Sequence, residues 1–141
     1  MPFGVYRRVF YLGPFAVKVP RLRQFAGGLR SNRWEREMWR KWQPVFGWET
    51  LCPVLFADPA GFVVVMPRAT QPVDDSEVEA LPDDYPGTTA ESKSADHGRL
   101  HGRVVAVDYG IPHAEDARHR RDYYASFVAE NRPHFSSGRD T

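Results

Sequence analysis

Phe15-Ala16-Val17-Lys18-Val19-Pro20 is the stretch on which the fold turns. Phe15, Val17 and Val19 alternate with Ala16 and Lys18, the period-2 pattern of a half-buried strand that Pro20 ends. In strict alternation Lys18 faces away from Phe15, Val17 and Val19. Just upstream, Val5, Val9, Phe10, Tyr11 and Leu12 form a β-rich run, and Gly13-Pro14 is a turn signal. Residues 5–20 therefore read as a β-hairpin. The chain has 19 Lys/Arg, of which only Lys18, Lys41 and Lys93 are lysines. A lysine where arginine is the habit marks a place suited to a compact, flexible ammonium.

Beyond the hairpin, residues 21–31 are basic and contain Gly27-Gly28, so they read as a loop. Ser31 or Asn32 is placed to cap a helix over Arg33 to Trp42. Trp34, Met38 and Trp42 recur at i, i+4 and i+8, with Trp39 widening the stripe. Glu35 projects inside that apolar stripe, and a carboxylate there is costly unless paired. Lys18 is the obvious partner. Glu37 points the other way, toward exposed contacts with Arg33 and Lys41.

Further on, Pro44 to Pro53 reads as a connection. Val54-Leu55-Phe56 and Phe62 to Met66 flank an Asp58-Pro59-Ala60-Gly61 turn, giving a second hairpin. Residues 70–98 are acidic and turn-rich, with one or two helical turns over Ser76 to Leu81. Val104 to Val107 is a buried-looking strand ending in Asp108-Tyr109-Gly110. A helix is expected over about Ala114 to Asn131, with Tyr124, Phe127, Val128 and Asn131 on one face. The tail, residues 133–141, is expected to be mobile.

The 141-residue length suits one domain, and 42% apolar content suits a globular chain. No apolar run approaches the ~20 residues of a membrane span, and no signal peptide is visible, so the expectation is a cytoplasmic protein with no membrane partner. A single cysteine, Cys52, excludes a disulfide framework and reads as a buried small hydrophobe. The five histidines lack zinc-site spacing. Net charge is only +1, yet residues 1–43 hold ten Lys/Arg against two Asp/Glu, and residues 44–100 hold three against ten. The basic third suits nucleic acid or an acidic partner, or else attraction to the acidic middle within one fold.

Taken in order, these elements resemble the protein kinase fold over residues 5 to 111. The stretch from Phe15 to Val19 looks like the V-A-I-K strand, with Lys18 as the phosphate-pairing lysine. Glu35, followed by Met38, Trp39 and Trp42, looks like the regulatory-helix glutamate. Val64 to Ala69 looks like the last N-lobe strand entering the hinge, with Met66 as gatekeeper. Gly102 to Gly110 looks like the strand entering D-F-G, with Asp108 as the metal-binding aspartate and Tyr109 in place of Phe. The resemblance implies an α+β fold. A kinase-like N-lobe of antiparallel sheet plus one helix would occupy about residues 1–69. A much reduced helical part would fill 70–132, the whole forming one domain. ATP and Mg²⁺ are the implied cofactors, with Lys18, Met66, Ala69 and Asp108 around the nucleotide and Asp96 and Asp108 on the metal.

The departures are as informative as the matches. Glu91-Ser92-Lys93-Ser94-Ala95-Asp96 stands where H-R-D-x-K-x-x-N belongs. Glu91 replaces the catalytic aspartate, Lys93 keeps its place, Asp96 replaces the asparagine, and the preceding H-R is missing. The phosphate-binding G-x-G-x-x-G is also missing, as is room for a peptide-binding lobe after Gly110. If the chain were active, Lys18, Glu35, Glu91, Lys93 and Asp108 would be the catalytic set of a kinase-type phosphotransferase. The departures point instead to a degenerate kinase-like protein that binds and modulates a protein or nucleoprotein. Its small size suits a phage or other mobile element, and its aromatic content leaves a homodimer open. A further reading is a nucleic-acid-binding module using Arg7, Arg8, Arg21, Arg23, Arg30 and Arg33. Each motif also has a plainer explanation: a strand-edge lysine, a glutamate paired with arginine, a turn-forming aspartate.

Overall fold

The computed structural model describes residues 5–83 and 87–132. The expected tail, 133–141, lies outside them. Strands β1 (Arg7–Leu12) and β2 (Phe15–Pro20) form the first hairpin, closed at Gly13 with a φ of 57°. Strand β3 (Phe56–Ala57) and strand β4 (Val64–Pro67) complete an antiparallel sheet of order β1-β2-β4-β3. A second hairpin pairs β5 (His97–Leu100) with β6 (Arg103–Ala106). The protein is thus mixed α+β with an antiparallel sheet and a few helices.

Helix α1 (Phe25–Glu37) packs behind β2. It begins some eight residues before the expected start, so residues 25–31 are helix rather than loop. Gly27 and Gly28 did not break it. A side chain at Gly28 would stand 2.6 Å from Pro20 Cβ and 2.6 Å from the Tyr6 carbonyl, so the glycines let α1 press against the ends of β1 and β2. Ser31 and Asn32, expected as caps, are instead buried mid-helix.

The helix then widens to i→i+5 bonding over Met38–Trp42 and resumes as α2 (Gln43–Phe46), ending at Gly47 with a φ of 67°. The expected connection thus starts at Gly47 rather than Pro44. The second hairpin of the main sheet is shorter than its sequence suggests. Val54 and Leu55 precede β3, and Phe62 lies outside β4, exposed against Phe25. The carboxylate of Asp58 accepts the amides of Ala60 and Val63, so local turn bonds claim the backbone that a longer ladder would use.

Helix α3 (Asp75–Glu79) is the expected helical turn, closed by a reciprocal capping box between Asp74 and Glu77. Helix α4 (Ala114–Glu130) matches its expected span, and Tyr124 and Phe127 are buried as foreseen. Strand β5 was not foreseen, because His97-Gly98-Arg99-Leu100 has no β-rich pattern of its own. Its partner β6 and a bridge from Thr70 to Arg99 hold it extended.

One buried cluster joins the two parts of the chain. Trp34, Met38, Trp42, Trp48, Val64, Met66, Val105, Tyr109 and Tyr124 all belong to it. The tryptophans expected to be core therefore are core, Trp39 being partly buried against it. Phe46 and Trp48 stack at 4.8 Å, and Trp42 and Tyr124 meet at 5.1 Å. Such pairs add ~0.5–1.5 kcal/mol each beyond area burial, which fixes α4 against the helix that carries Glu35.

Candidate functional site

The site is built where β2, α1 and the segment after β6 converge. Lys18 and Glu35 are both buried, and Lys18 Nζ donates to Glu35 Oε1 and Oε2 at 3.0 Å each. The pairing expected from an inward carboxylate and a solitary strand lysine is present. Lys18 also donates to the Val107 carbonyl, immediately before Asp108. The face assignment on β2 is the reverse of the usual one. Ala16 and Lys18 are buried, while Phe15 is exposed and Val17 and Val19 are half-buried.

Arg7 is the residue that sequence reasoning misplaced. Read as a nucleic-acid contact, it is instead buried on β1. Its Nη1 donates to Glu35 Oε1 at 2.6 Å and to Asn32 Oδ1 at 3.1 Å. Its Nη2 donates to Glu35 Oε2 at 3.1 Å and to Asp108 Oδ1 at 2.5 Å. One guanidinium therefore spans the two carboxylates. The available signal was position: Arg7 faces Pro20 across the hairpin, two residues from Val9, which pairs with Lys18. In a strand, residues two apart share a face, so Arg7 lies on the Lys18 side.

The Tyr109 amide completes Glu35 by donating to Oε2 at 2.8 Å. The Tyr109 hydroxyl donates to the Cys52 carbonyl at 2.9 Å, and Thr89 Oγ1 donates to the Tyr109 carbonyl at 2.6 Å. At Gly110 a side chain would stand 2.7 Å from the Ser31 carbonyl, so glycine lets this segment lie directly on α1. Asn32 Nδ2 donates to the carbonyls of Lys18 and Gly61, tying α1 to the sheet on its other side.

The electrostatics follow from this crowding. Burial alone would push the Glu35 carboxyl up, but Arg7 and Lys18 together hold it down at about 2. Burial lowers Lys18 from its ordinary value despite the attraction of Glu35. Arg7 is raised, the pull of burial being overcome by Glu35 and Asp108. Burial pushes the Cys52 thiol up to about 12, so it is a buried apolar group, as expected.

A cleft of about 320 Å³ opens beside this cluster. Its lining includes Lys18, Met66, Ala69, Glu91, Lys93, Asp96 and Asp108, so the structure brings together every residue named for the kinase-type site except Glu35, which lies sealed behind Lys18, and leaves Arg8, Arg21, Arg23, Arg30 and Arg33 outside it. Arg7, Val9 and Ala16 add to the wall. At the mouth, Glu91 and Lys93 form an exposed ion pair. Asp96 is raised to about 6, first by burial and then by the charges of Asp108 and Glu91. Among the described residues no three His, Cys, Asp or Glu side chains are grouped to hold a metal ion.

Two carboxylates, Asp96 and Asp108, are enough in kind for Mg²⁺, which commonly takes one or two carboxylates plus phosphates. They do not fit it as they stand, because the Arg7 guanidinium already neutralises Asp108. The first hairpin closes in a two-residue Gly13-Pro14 turn, and neither residue lines the cleft.

Glu37 is a correction. It accepts from Arg121 Nε on α4 at 2.7 Å and from Trp42 Nε1 at 3.4 Å, in place of Arg33 and Lys41. The tertiary partner is nearer than the helical ones and gives a charged hydrogen bond. Among the described residues no helix is long and apolar enough to cross a membrane. No family model matches the chain, and no curated protein or solved structure matches it.

Proposed function

We propose that this chain is a minimal, degenerate kinase-like domain that acts by binding another macromolecule rather than by phosphoryl transfer. Several features support the kinase-like reading. The elements run in the implied order, from a hairpin with a lysine, through a helix with an inward glutamate, to a strand leading into Asp-Tyr-Gly. Lys18 and Glu35 pair at 3.0 Å, and the implied nucleotide residues Met66, Ala69 and Asp108 line the same cleft as Lys18. In this reading Met66 is the gatekeeper, and residues 1–69 form the N-lobe-like part.

One observation carries the argument against turnover: Arg7 bridges Glu35 and Asp108. In an active enzyme of this type, Lys18 would neutralise phosphate and Asp108 would hold a metal. Here the Lys18–Glu35 pair that such an enzyme needs is in place, but Asp108 is bound to Arg7. A nucleotide–metal complex would have to expel a buried guanidinium that makes four hydrogen bonds. The charges serve to lock α1, β1 and the Asp108 segment into one shape, which is what a binding scaffold needs.

A second reading, a phosphotransferase with Glu91 as general base and Asp96 and Asp108 on Mg²⁺, is favoured only by the gathering of those residues on one cleft. The two readings separate in a melting experiment with ATP and Mg²⁺. A ligand at 100 times its Kd stabilises by ~2.7 kcal/mol, a shift of several degrees. The binding reading predicts no shift in the native chain. A shift that Lys18→Met abolishes, with hydrolysis to match, would replace it with the enzyme reading. An Arg7→Met chain that gains a shift would locate the block at Arg7.

A further inference from the structure

The far side of α1 holds a second concavity, unconnected with the cleft. Arg33, Arg36, Arg40, Lys41 and Arg121 line a groove of about 320 Å³ together with Glu37 and Pro59. That volume lies at the lower end of small-ligand pockets, ~300–1,000 Å³. Glu37 is the one carboxylate in this lining, so five cations face one anion. Arg33, Arg36 and Arg40 recur at i, i+3 and i+7, placing three guanidinium groups along about 10 Å of helix.

Like charges at such spacing repel, so the helix carries them at a cost. Arg33, Lys41 and Arg121 are nevertheless held in place, the first two by groups that do not neutralise them. Arg33 Nη1 donates to the Ala60 carbonyl at 3.1 Å. Lys41 lies over the Trp42 ring at 4.7 Å, and Arg121 over Trp34 at 5.2 Å. Among the described residues only Arg121 has a carboxylate, Glu37, which is shared with Trp42. Arg36 Nε is buried and makes no hydrogen bond among the described residues. Among the described residues no carboxylate pairs with Arg33, Arg36, Arg40 or Lys41, so the charge of the groove is left for an external anion to balance.

We propose that this groove binds a ligand presenting two or more phosphate groups in a row, whether a free oligophosphate or the backbone of a single-stranded nucleic acid. The fixed donor fork of arginine matches phosphate oxygens, and four of the five cations are arginines. The site differs from the basic set that sequence alone suggests: it leaves Arg7 in the cleft and recruits Arg36, Arg40, Lys41 and Arg121. It does not depend on the kinase-like reading.

The test titrates the full chain at low salt with inorganic tripolyphosphate and, separately, with a ten-nucleotide single-stranded DNA, following tryptophan fluorescence. Binding by at least one probe is expected, with log K falling linearly as log salt rises. Arg36→Gln/Arg40→Gln should weaken it at least tenfold while leaving the melting temperature within a few degrees. Arg33→Gln/Lys41→Gln is the parallel variant should the first pair perturb folding. Tripolyphosphate alone binding would identify a small oligophosphate, and tighter DNA binding would identify the nucleic-acid backbone. The proposal is overturned if neither probe binds, or if Arg8→Gln/Arg23→Gln weakens binding as much as the groove variants do. Lys18→Met should leave this binding unchanged, which keeps the outcome separate from that of the cleft.

Discussion

The two faces of the four-stranded sheet are built on opposite principles. The inner face, toward α1, buries Arg7 and Lys18 against Glu35. The outer face carries a cross-strand row of Phe10, Val17, Val65 and Phe56, one residue from each strand, with Leu12 and Phe15 beside it. Phe56 is 57% exposed and Leu12 61% exposed, while Glu35 is fully buried. The inner face also buries Ala16, Val64 and Met66, so it is an apolar face with an ion cluster set into it, and the exposed apolar row on the outer face is the departure from an ordinary two-layer fold. The difference teaches that α1 is fixed here by a few directed polar bonds as well as by apolar burial. Directed bonds specify one docking geometry, whereas apolar contact alone tolerates several.

The contrast breaks most directly at Glu35. Glu35→Ala would leave Arg7 and Lys18 as buried cations without their shared carboxylate. Breaking such a pair costs ~3–5 kcal/mol, and urea denaturation should find a loss of that size. A loss below about 1 kcal/mol would mean that the ion cluster contributes little and that the inner face is held like any other.

Acid attacks the same carboxylate without mutation. The Glu35 carboxyl is held down at about 2 in the folded protein by Arg7 and Lys18, below its ordinary value of 4.5. Its stabilisation is therefore full above pH ~4.5 and is lost as pH falls toward ~2. The difference is worth roughly 3 kcal/mol at most. Denaturation midpoints followed from pH 5 to pH 2 should fall, and Glu35→Gln should flatten that fall. An equal fall in the variant would move the acid sensitivity elsewhere.

The two cations can then be ranked. Arg7 holds Glu35, Asp108 and Asn32, whereas Lys18 holds Glu35 and one carbonyl. Arg7→Met should therefore destabilise more than Lys18→Met, by about 1 kcal/mol for the extra charged hydrogen bonds. The reverse order would make Lys18 the anchor of the cluster. On the outer face, Phe10→Thr or Phe56→Thr should cost less than about 1 kcal/mol, as exposed substitutions do. A loss above ~2 kcal/mol would show that the row is packed in solution and would end the contrast.

The polar face was legible in part. A lone lysine in an alternating strand and a glutamate inside a tryptophan stripe announce their pairing, because neither is tolerable alone. Helix α4 and the core tryptophans were legible for the same reason: their periodicity is strong and local. Arg7 was not, because nothing near it in sequence distinguishes a buried arginine from an exposed one such as Arg8. Strand alternation sets the two on opposite faces, and only the register with β2 decides which of them shares the Lys18 face. The start of α1 was hidden by Gly27-Gly28, whose role is close packing on β1 and β2 rather than turning. Strand β5 was hidden because its extension comes from Thr70 and β6. What the sequence concealed was in each case a contact between distant segments.

Asp96 gives the smallest expected effect and refines the comparison within the inner side. It lies at the lip of the cleft, partly buried, near Asp108 and Glu91. Burial and the neighbouring carboxylates raise it from its ordinary 3.8 to about 6, so the folded state takes up a proton more readily than the unfolded state. The ionised form thus destabilises the fold fully above pH ~6, and that penalty fades as pH falls from 6 toward 4. Glu35 behaves in the opposite sense, gaining from ionisation, because two cations face it. Asp96 is only half-buried, and solvent screening limits its effect to about 1 kcal/mol or less. Asp96→Asn should raise the melting temperature by a degree or two at pH 7.5 and by nothing at pH 4. An equal gain at both pH values would mean that packing, not charge, is what the asparagine changes. A loss at pH 7.5 would mean that the ionised carboxylate is favourably held there and that the lip of the cleft is electrostatically continuous with its sealed interior.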